Sequence, residues 1–135
     1  MDYEDTARRI LSTYRTWAVV GCSPRPTRAS HDVAAFLQQR GYRIIPINPA
    51  ADEILGETAY PDLVSVPDPI EVVDIFRRSD RAGRHVDEAI AIGAKAVWMQ
   101  LGVIDEAAAE RAKNAGLDVV MDRCPKIEYP RLLAR

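Results

Sequence analysis

The stretch TWAVVGCSPRPTRASHDVAAFLQQRGYRIIPINP, residues 16–49, contains two apolar, β-branched runs separated by a helical pattern. The first run predicts a strand over 17–21, the middle predicts a helix over 31–40, and the second run predicts a strand over 43–47. Gly41 lies where the helix would end, and helices commonly end on a glycine. This order of elements predicts a βαβ unit with parallel strands and a right-handed crossover.

The same alternation continues along the chain. Further strands are predicted over 71–76, 95–99 and 118–121, and further helices over 3–14, 84–93 and 105–115. The strands are apolar throughout, as expected for a parallel sheet covered by helices on both faces. The proline-rich segment 49–69 predicts an irregular crossover. We therefore expect one α/β domain over 1–135, a Rossmann-type, doubly wound parallel five-stranded sheet in the order 3-2-1-4-5, with an extra N-terminal helix.

The composition narrows the class of protein. With 135 residues, of which 47% are hydrophobic, the chain has the size of one domain. Its net charge of -2 gives no general attraction for nucleic acid or for an anionic membrane. The acidic N-terminus has no leader pattern, so we expect a cytoplasmic protein. Two cysteines and two histidines are too few for a disulfide scaffold or a metal cluster.

The loop after the first strand contains the first candidate ligand residues, because ligands of doubly wound sheets bind beyond the carboxyl ends of the strands. Gly21 permits close approach of the backbone, Ser23 adds a hydroxyl group, and Ser30 can cap the following helix. The N-terminus of that helix offers N–H groups to a phosphate, and Arg25 adds a cation. Two glycines of a dinucleotide fingerprint are missing. An ordinary strand-to-helix turn therefore remains an alternative.

Two other strand ends carry further candidates. The second strand ends in Asn48 and Pro49, where an NAD site needs a carboxylate, so NAD is disfavoured. The third strand ends in Phe76, Arg77 and Arg78, an aromatic ring and two guanidiniums that suit adenine and phosphate. The alternative is that Phe76 belongs to the core and that both arginines are solvated.

The fourth strand continues into Gln100, Leu101 and Gly102, and this glycine allows a turn against a ligand. His31 and His85 are predicted near helix starts, and each is interpreted as a solvated or capping side chain. Spacing alone does not combine a nucleophile, a base and an acid into a catalytic site.

These segments together resemble a known family. They are VVGCSPRPTRAS (19–30), GYRIIPINP (41–49), VVDIFRR (72–78), EAIAIGAKAVWMQLGV (88–103) and VVMDRC (119–124). The chain resembles the small stand-alone CoA-binding proteins over about residues 17–126. Their fold is similar to the N-terminal CoA-binding domain of the succinyl-CoA synthetase alpha subunit.

The resemblance implies a role for each part of the predicted site. The loop at Gly21 and Ser23, with Ser30, would hold the CoA phosphates, and 48–49 would border the ribose or its 3′-phosphate. Phe76 and Arg77 would lie at the adenosine end, and 100–102 at the pantetheine arm. Cys124 would lie toward the thiol, whereas Cys22 occupies a position that is usually small in the family. The implied cofactor-binding residues are Gly21, Cys22, Ser23, Arg25, Ser30, Asn48, Pro49, Phe76, Arg77, Arg78, Gln100, Leu101, Gly102 and Cys124.

The expected function is the binding of a small molecule, coenzyme A or an acyl-CoA, without demonstrable catalysis. The resemblance does not extend to the second synthetase domain with its phosphorylated histidine. One alternative is an NAD(P)-binding module or small oxidoreductase. Another is a thiol regulator in which Cys124 exchanges with CoA disulfide, its thiolate favoured by Arg123 and Lys126. A protein partner and the oligomeric state are not predicted.

Overall fold

Five parallel strands form the central sheet of the structure, a computed structural model that describes residues 3–133. In chain order the elements are α1 (Tyr3–Thr13), β1 (Thr16–Val20), α2 (Ala29–Gln39), β2 (Arg43–Ile47), β3 (Glu53–Ile54), β4 (Glu57–Thr58), β5 (Val72–Ile75), α3 (Ser79–Ala91), β6 (Ala96–Met99), α4 (Glu106–Asn114), β7 (Asp118–Val120) and α5 (Pro125–Leu132). Strands β3 and β4 form a separate antiparallel hairpin. The predicted α/β class, the parallel five-stranded sheet and the helix before it are confirmed.

The strand order is not the expected one. It is β2-β1-β5-β6-β7, which in the numbering of the five predicted strands is 2-1-3-4-5 and not 3-2-1-4-5. Pro46 in β2 gives the physical reason. Its carbonyl points away from β1 and accepts a hydrogen bond from Tyr60 N at 3.0 Å, so the N–H that proline lacks would also face outward. Such a strand suits the edge of the sheet, and β5 therefore pairs with the other side of β1.

Helices cover both faces of the sheet. On one face, α1, α2 and α5 pack over Trp17 and Trp98, whose ring centroids are 5.7 Å apart. On the other face, α3 and α4 pack over Val73, Ile75 and Met99. These side chains are all buried, which explains the unbroken apolar runs in the sequence. Within residues 3–133, no helix is long and apolar enough to cross a membrane.

Helix α5 was not predicted by the sequence pattern. Pro125 begins it and Pro130 lies inside it, and proline disfavours the interior of a helix. Contacts with α1 hold it in place: Arg131 donates to Glu4 Oε2 at 2.8 Å, and the Tyr3 hydroxyl donates to Glu128 Oε1 at 3.2 Å. Tertiary contacts therefore outweigh the local preference, and they fasten α5 to α1.

Candidate functional site

The loop between β1 and α2 begins where three strand ends meet. Gly21 has a φ of +82°, in the left-handed region, and its N–H donates to Ile47 O at 3.1 Å. A Cβ atom on Gly21 would lie 2.5 Å from the carbonyl oxygen of Phe76. Glycine therefore allows the ends of β1, β2 and β5 to approach one another closely.

Side chains of α2 hold the backbone of this loop. Ser23 N donates to Ser30 Oγ at 2.9 Å, and His31 Nδ1 donates to Ser23 O at 3.0 Å, since a carbonyl oxygen can only accept. The expectation that Ser30 caps the helix is wrong, because Ser30 lies inside α2 and the N-cap is Arg28. His31 likewise fixes the loop instead of capping a helix. Because the Arg28 side chain makes no capping bond, the first N–H groups of α2 can serve an anion.

Asn48 joins this loop to the segment after β2. Its Nδ2 donates to Cys22 O at 2.9 Å, and its Oδ1 accepts from Ala50 N at 2.8 Å. A carboxylate could not donate the first of these bonds. An amide at this position is therefore explained by the hydrogen bonds that join the two loops. Asn48 and Pro49 also line a cavity.

This cavity, the polar cavity, has a volume of about 240 Å³ and lies between the ends of β1 and β2 and helix α3. Arg77, Arg84 and His85 contribute to its lining. His85 is 8% exposed, and its Nδ1 donates to Glu88 Oε1 at 2.8 Å. Its Nε2 is buried and has no hydrogen-bond partner within residues 3–133. His85 is therefore a buried imidazole in the wall of the polar cavity, with one nitrogen that these residues leave unpaired.

The interpretation of His85 as a solvated or capping side chain is wrong. Helix α3 begins at Ser79 and not at 84, so His85 lies well inside it and is buried. Gly83 obscures this in the sequence, because glycine is unfavourable inside a helix. A Cβ atom on Gly83 would lie 2.8 Å from Asp105 Oδ2 at the start of α4, so a larger residue there would displace the Asp105 carboxylate. Sequence analysis missed Arg84 and His85 as site residues for this reason.

A larger cavity, the apolar cavity, has a volume of about 670 Å³ and lies between the first turns of α2 and α5 and the ends of β5 and β6. Its apolar lining includes Val33, Phe76, Leu101, Val103, Cys124 and Ile127. Gln100 adds a polar side chain that is 6% exposed, and its buried Oε1 has no hydrogen-bond partner within residues 3–133. Sites for small molecules have volumes of roughly 300 to 1,000 Å³ and a similar mixture of apolar walls and a few polar groups.

Arg77 borders both cavities. In the described part of the chain its guanidinium, which is half-buried, makes no hydrogen bond or ion pair. Arg78 differs: its side chain is 73% exposed, it pairs with Asp80 at 3.3 Å, and it lines neither cavity. Of the two predicted guanidiniums, the structure brings only Arg77 to the cavities.

The two cysteines lie in different surroundings. Cys22 is fully buried and lines neither cavity, and burial, with a smaller contribution from Asp74, raises the pKa of its thiol to about 12. The Cys22 thiol therefore stays protonated. Cys124 lines the apolar cavity and is nearly buried.

The cations expected near Cys124 bind other groups. The Arg123 guanidinium lies 4.0 Å from the centroid of the Tyr3 ring, and Lys126 Nζ pairs with Asp32 Oδ2 at 2.6 Å. The alternative that Cys124 acts as a thiol regulator therefore loses part of its support. Both positive charges expected to favour its thiolate already have other partners.

The remaining predicted residues shape the backbone around the cavities. The Ser23 hydroxyl accepts from Arg25 N at 3.1 Å, and the Arg25 side chain is exposed. Gly102, with a φ of +86°, donates its N–H to Asp122 Oδ1 at 2.7 Å. None of Cys22, Ser23, Arg25, Ser30, Arg78 and Gly102 lines either cavity.

Comparison with known proteins relates this geometry to a family. Residues 15–130 match the family described as the CoA binding domain. The chain is 39% identical over 122 residues to the uncharacterized protein YneT of Bacillus subtilis (strain 168), and the match covers 90% of each protein. A hypothetical protein from Pyrococcus horikoshii OT3, of known structure, is 40% identical with a TM-score of 0.91, covering 96% of this chain and 92% of that one.

A third relative shares a shorter segment. The ADP-forming acetate–CoA ligase II of Archaeoglobus fulgidus is 32% identical over 76 residues. The match covers 55% of this chain and 11% of the ligase. The similarity to the ligase therefore concerns a small part of that enzyme.

Proposed function

Because the chain belongs to the family of CoA binding domains, we propose that it binds coenzyme A or an acyl-CoA along the carboxyl edge of its sheet. The observation that carries the proposal is Arg77, a guanidinium without a protein partner in residues 3–133 that borders two cavities of opposite character. The chemistry of coenzyme A matches this arrangement of two cavities, because its diphosphate lies between an anionic nucleotide and a less polar pantetheine arm.

The polar cavity suits the nucleotide end. Its carboxylates already have partners: Glu88 accepts from His85, and Asp62 accepts from the Ser65 hydroxyl at 2.6 Å. The guanidiniums of Arg77 and Arg84 have no protein partner within residues 3–133 and remain available. Guanidinium groups can bind phosphate or the polar edges of a nucleoside.

The diphosphate belongs at the loop between the cavities. The first N–H groups of α2 have no side-chain cap, and a helix N-terminus attracts anions. Arg77 reaches the same region and supplies a planar fork for phosphate oxygens. Ser23 is held by Ser30 and His31, so the loop is ordered before the ligand binds.

The pantetheine arm then extends into the apolar cavity. The side-chain amide of Gln100 lines this cavity and can pair with an amide of the arm. Our proposal concerns binding and not ligation, because the ligase relative matches this chain over only 11% of its own length.

A preference for coenzyme A over NAD tests this function. NAD needs an acceptor for its ribose hydroxyls after the second strand. Asn48 occupies that position, and its side-chain amide is already hydrogen-bonded to Cys22 O and Ala50 N. We expect coenzyme A to raise the melting temperature of the protein more than NAD does at equal concentration. A ligand at one hundred times its Kd stabilises the native state by about 2.7 kcal/mol. A larger shift with NAD would contradict the proposal.

Substitution of Arg77 tests the position of the diphosphate. We expect Arg77→Ala to weaken coenzyme A binding by about 1.5–3 kcal/mol, the range for hydrogen bonds to charged groups. Dephospho-CoA should lose affinity by the same factor, because Arg77 meets the middle of the ligand. Calorimetric titration measures both losses, and Arg78→Ala is the matched control with little expected change. A clearly smaller loss for dephospho-CoA would move Arg77 to the 3′-phosphate.

A further inference from the structure

We propose that the apolar cavity holds the acyl chain of a neutral acyl thioester, so that the preferred ligand is an acyl-CoA and not free coenzyme A. This inference rests on the proposed function, which directs the pantetheine arm into this cavity. The cavity has a volume of about 670 Å³, against about 240 Å³ for the polar cavity. It offers the larger space to the end of coenzyme A that carries the acyl group.

The walls of the apolar cavity leave apolar surface in contact with water. Leu101 is 58% exposed and Ile127 is 49% exposed, and they belong to the same lining. Val33 and Val103 in that lining are buried, so the apolar surface continues inward. An apolar chain that covers Leu101 and Ile127 gains free energy in proportion to the area removed from water. A bare thiol covers little of it.

Gln100 indicates what the apolar chain is attached to. Its backbone is fixed on both sides, since Gln100 N donates to Ile75 O at 3.2 Å and Gln100 O accepts from Val103 N at 2.8 Å. Its side-chain amide belongs to the lining of the cavity and makes no hydrogen bond within residues 3–133. An alkane has no polar group to pair with this amide. The pantetheine arm of an acyl-CoA carries amides that can pair with Gln100 while the acyl chain covers the apolar walls.

The charges of the cavity favour a neutral chain. Lys126 Nζ is paired with Asp32 Oδ2 at 2.6 Å, and both residues belong to the lining. Arg77 is assigned to the diphosphate. A free carboxylate at the end of the acyl chain would therefore lose water without gaining an unpaired cation, and that desolvation is costly. The chemical class that fits is an acyl group derived from an apolar monocarboxylic acid.

Calorimetric titration of the full chain with a homologous series tests this inference. The probes are free coenzyme A and its acetyl, butanoyl, hexanoyl and succinyl thioesters. We expect affinity to rise about two- to fourfold for each added methylene from acetyl to hexanoyl, the upper value corresponding to about 0.8 kcal/mol. Succinyl-CoA should bind more weakly than butanoyl-CoA, which has the same chain length. Equal affinities along the series, or tighter binding of succinyl-CoA, would overturn the inference.

A matched pair of variants assigns the effect to the cavity. In Ile127→Ser the ratio of hexanoyl-CoA affinity to coenzyme A affinity should fall at least threefold. Val64→Ser changes an apolar side chain that is 76% exposed and lies outside both cavities, so it should keep the wild-type ratio. An unchanged ratio in Ile127→Ser would count against the inference. Equal affinities along the acyl series, together with self-association of the protein that Ile127→Ser abolishes, would also contradict the inference. The apolar surface at Leu101 and Ile127 would then be a contact with a second copy of the chain.

The test separates this inference from the function on which it rests. If free coenzyme A and all its thioesters fail to bind, the proposed function is wrong. If they all bind with similar affinity, coenzyme binding stands and the acyl preference is wrong.

Discussion

Replacing Gly21 with alanine is expected to destabilise the protein by roughly 2–5 kcal/mol, the sum of a left-handed backbone cost and the cost of overpacking. The φ of Gly21 is +82°, and the new Cβ would lie 2.5 Å from the carbonyl oxygen of Phe76. That oxygen belongs to the backbone at the end of β5 and cannot rotate away. The strand ends must separate, so coenzyme binding is expected to be lost as well. Urea unfolding measures the first effect and calorimetric titration the second.

Gly41→Ala is the matched control for this prediction. Gly41 has a φ of +92°, yet no atom lies within 4 Å of the position its Cβ would take. The Gly41→Ala variant should therefore lose only about 1–2 kcal/mol of stability, the cost of the left-handed backbone, and should keep its affinity for coenzyme A. Equal losses of stability in the two variants would show that close contact between β1 and β5 is not what requires glycine at position 21.

Replacing Asp74 with asparagine is expected to change how stability depends on pH. Asp74 lies in the middle of β5, level with Val19 and Trp98 on the neighbouring strands, and is fully buried. Neither of its carboxyl oxygens has a hydrogen-bond partner within residues 3–133. Burial raises the pKa of Asp74 well above its ordinary value, because the ionised form would lose its water. The native protein therefore keeps this carboxyl protonated over a range where the unfolded chain ionises it.

The sign of the effect follows from proton binding. Above pH of about 3.9, where an unfolded aspartate ionises, the native state binds more protons than the unfolded state. The contribution of Asp74 to the free energy of unfolding is therefore complete below that pH and falls as pH rises, by up to about 1.4 kcal/mol per unit, until the native carboxyl ionises. The Asp74→Asn variant lacks this decline and should gain stability relative to wild type between pH 4 and 7.

Unfolding curves at several pH values measure this difference. Asp62→Asn is an opposite control, because hydrogen bonds from Ser65 lower the pKa of Asp62. The stabilisation by Asp62 is present above the unfolded-state value and is lost as pH falls, so its replacement should cost stability at neutral pH. Parallel pH profiles for wild type and Asp74→Asn would contradict the assignment of Asp74.

The secondary structure could be predicted from the sequence because the strands lie between two layers of helices. Their residues are buried on both faces, so the strands appear as unbroken apolar runs, and each predicted strand matches an observed one within one residue at each end. Gly41 follows α2, as predicted, and Gly93 and Gly116 follow α3 and α4 in the same way, each with a positive φ. Local chemistry determines all of these features.

The strand order and two helices depend on contacts between distant residues. Pro46 lacks a backbone N–H on the outer edge of β2, the side away from β1. The apolar pattern of the strand does not reveal which side this is. Gly83 lies close to residues of α4, and it interrupts the helical pattern of the sequence, so the first turn of α3 was not predicted. Pro130 lies in a helix that is held by Arg131 and its partners on α1. In each case a tertiary contact outweighs the local signal.

The carboxyl edge could be predicted as the place of the candidate site, but its division into two cavities could not. Arg84 and His85 are predicted at the start of α3 but lie well inside it, and Ile127 comes from α5, which was not predicted. The sequence therefore indicates the strand ends, whereas the separation of a polar from an apolar cavity also depends on residues of α3 and α5 whose surroundings it does not reveal. Whether Asp74 has a partner likewise depends on neighbours that the strand pattern does not reveal.

The attachment of α5 to α1 joins two segments from opposite ends of the described chain. Arg131 contacts Glu4 and Tyr3 across 127 and 128 positions of the chain. Ile127, on the same helix, lines the apolar cavity. A ligand in this cavity contacts the helix that makes this junction, and by binding only the folded form it should stabilise the junction of the two ends.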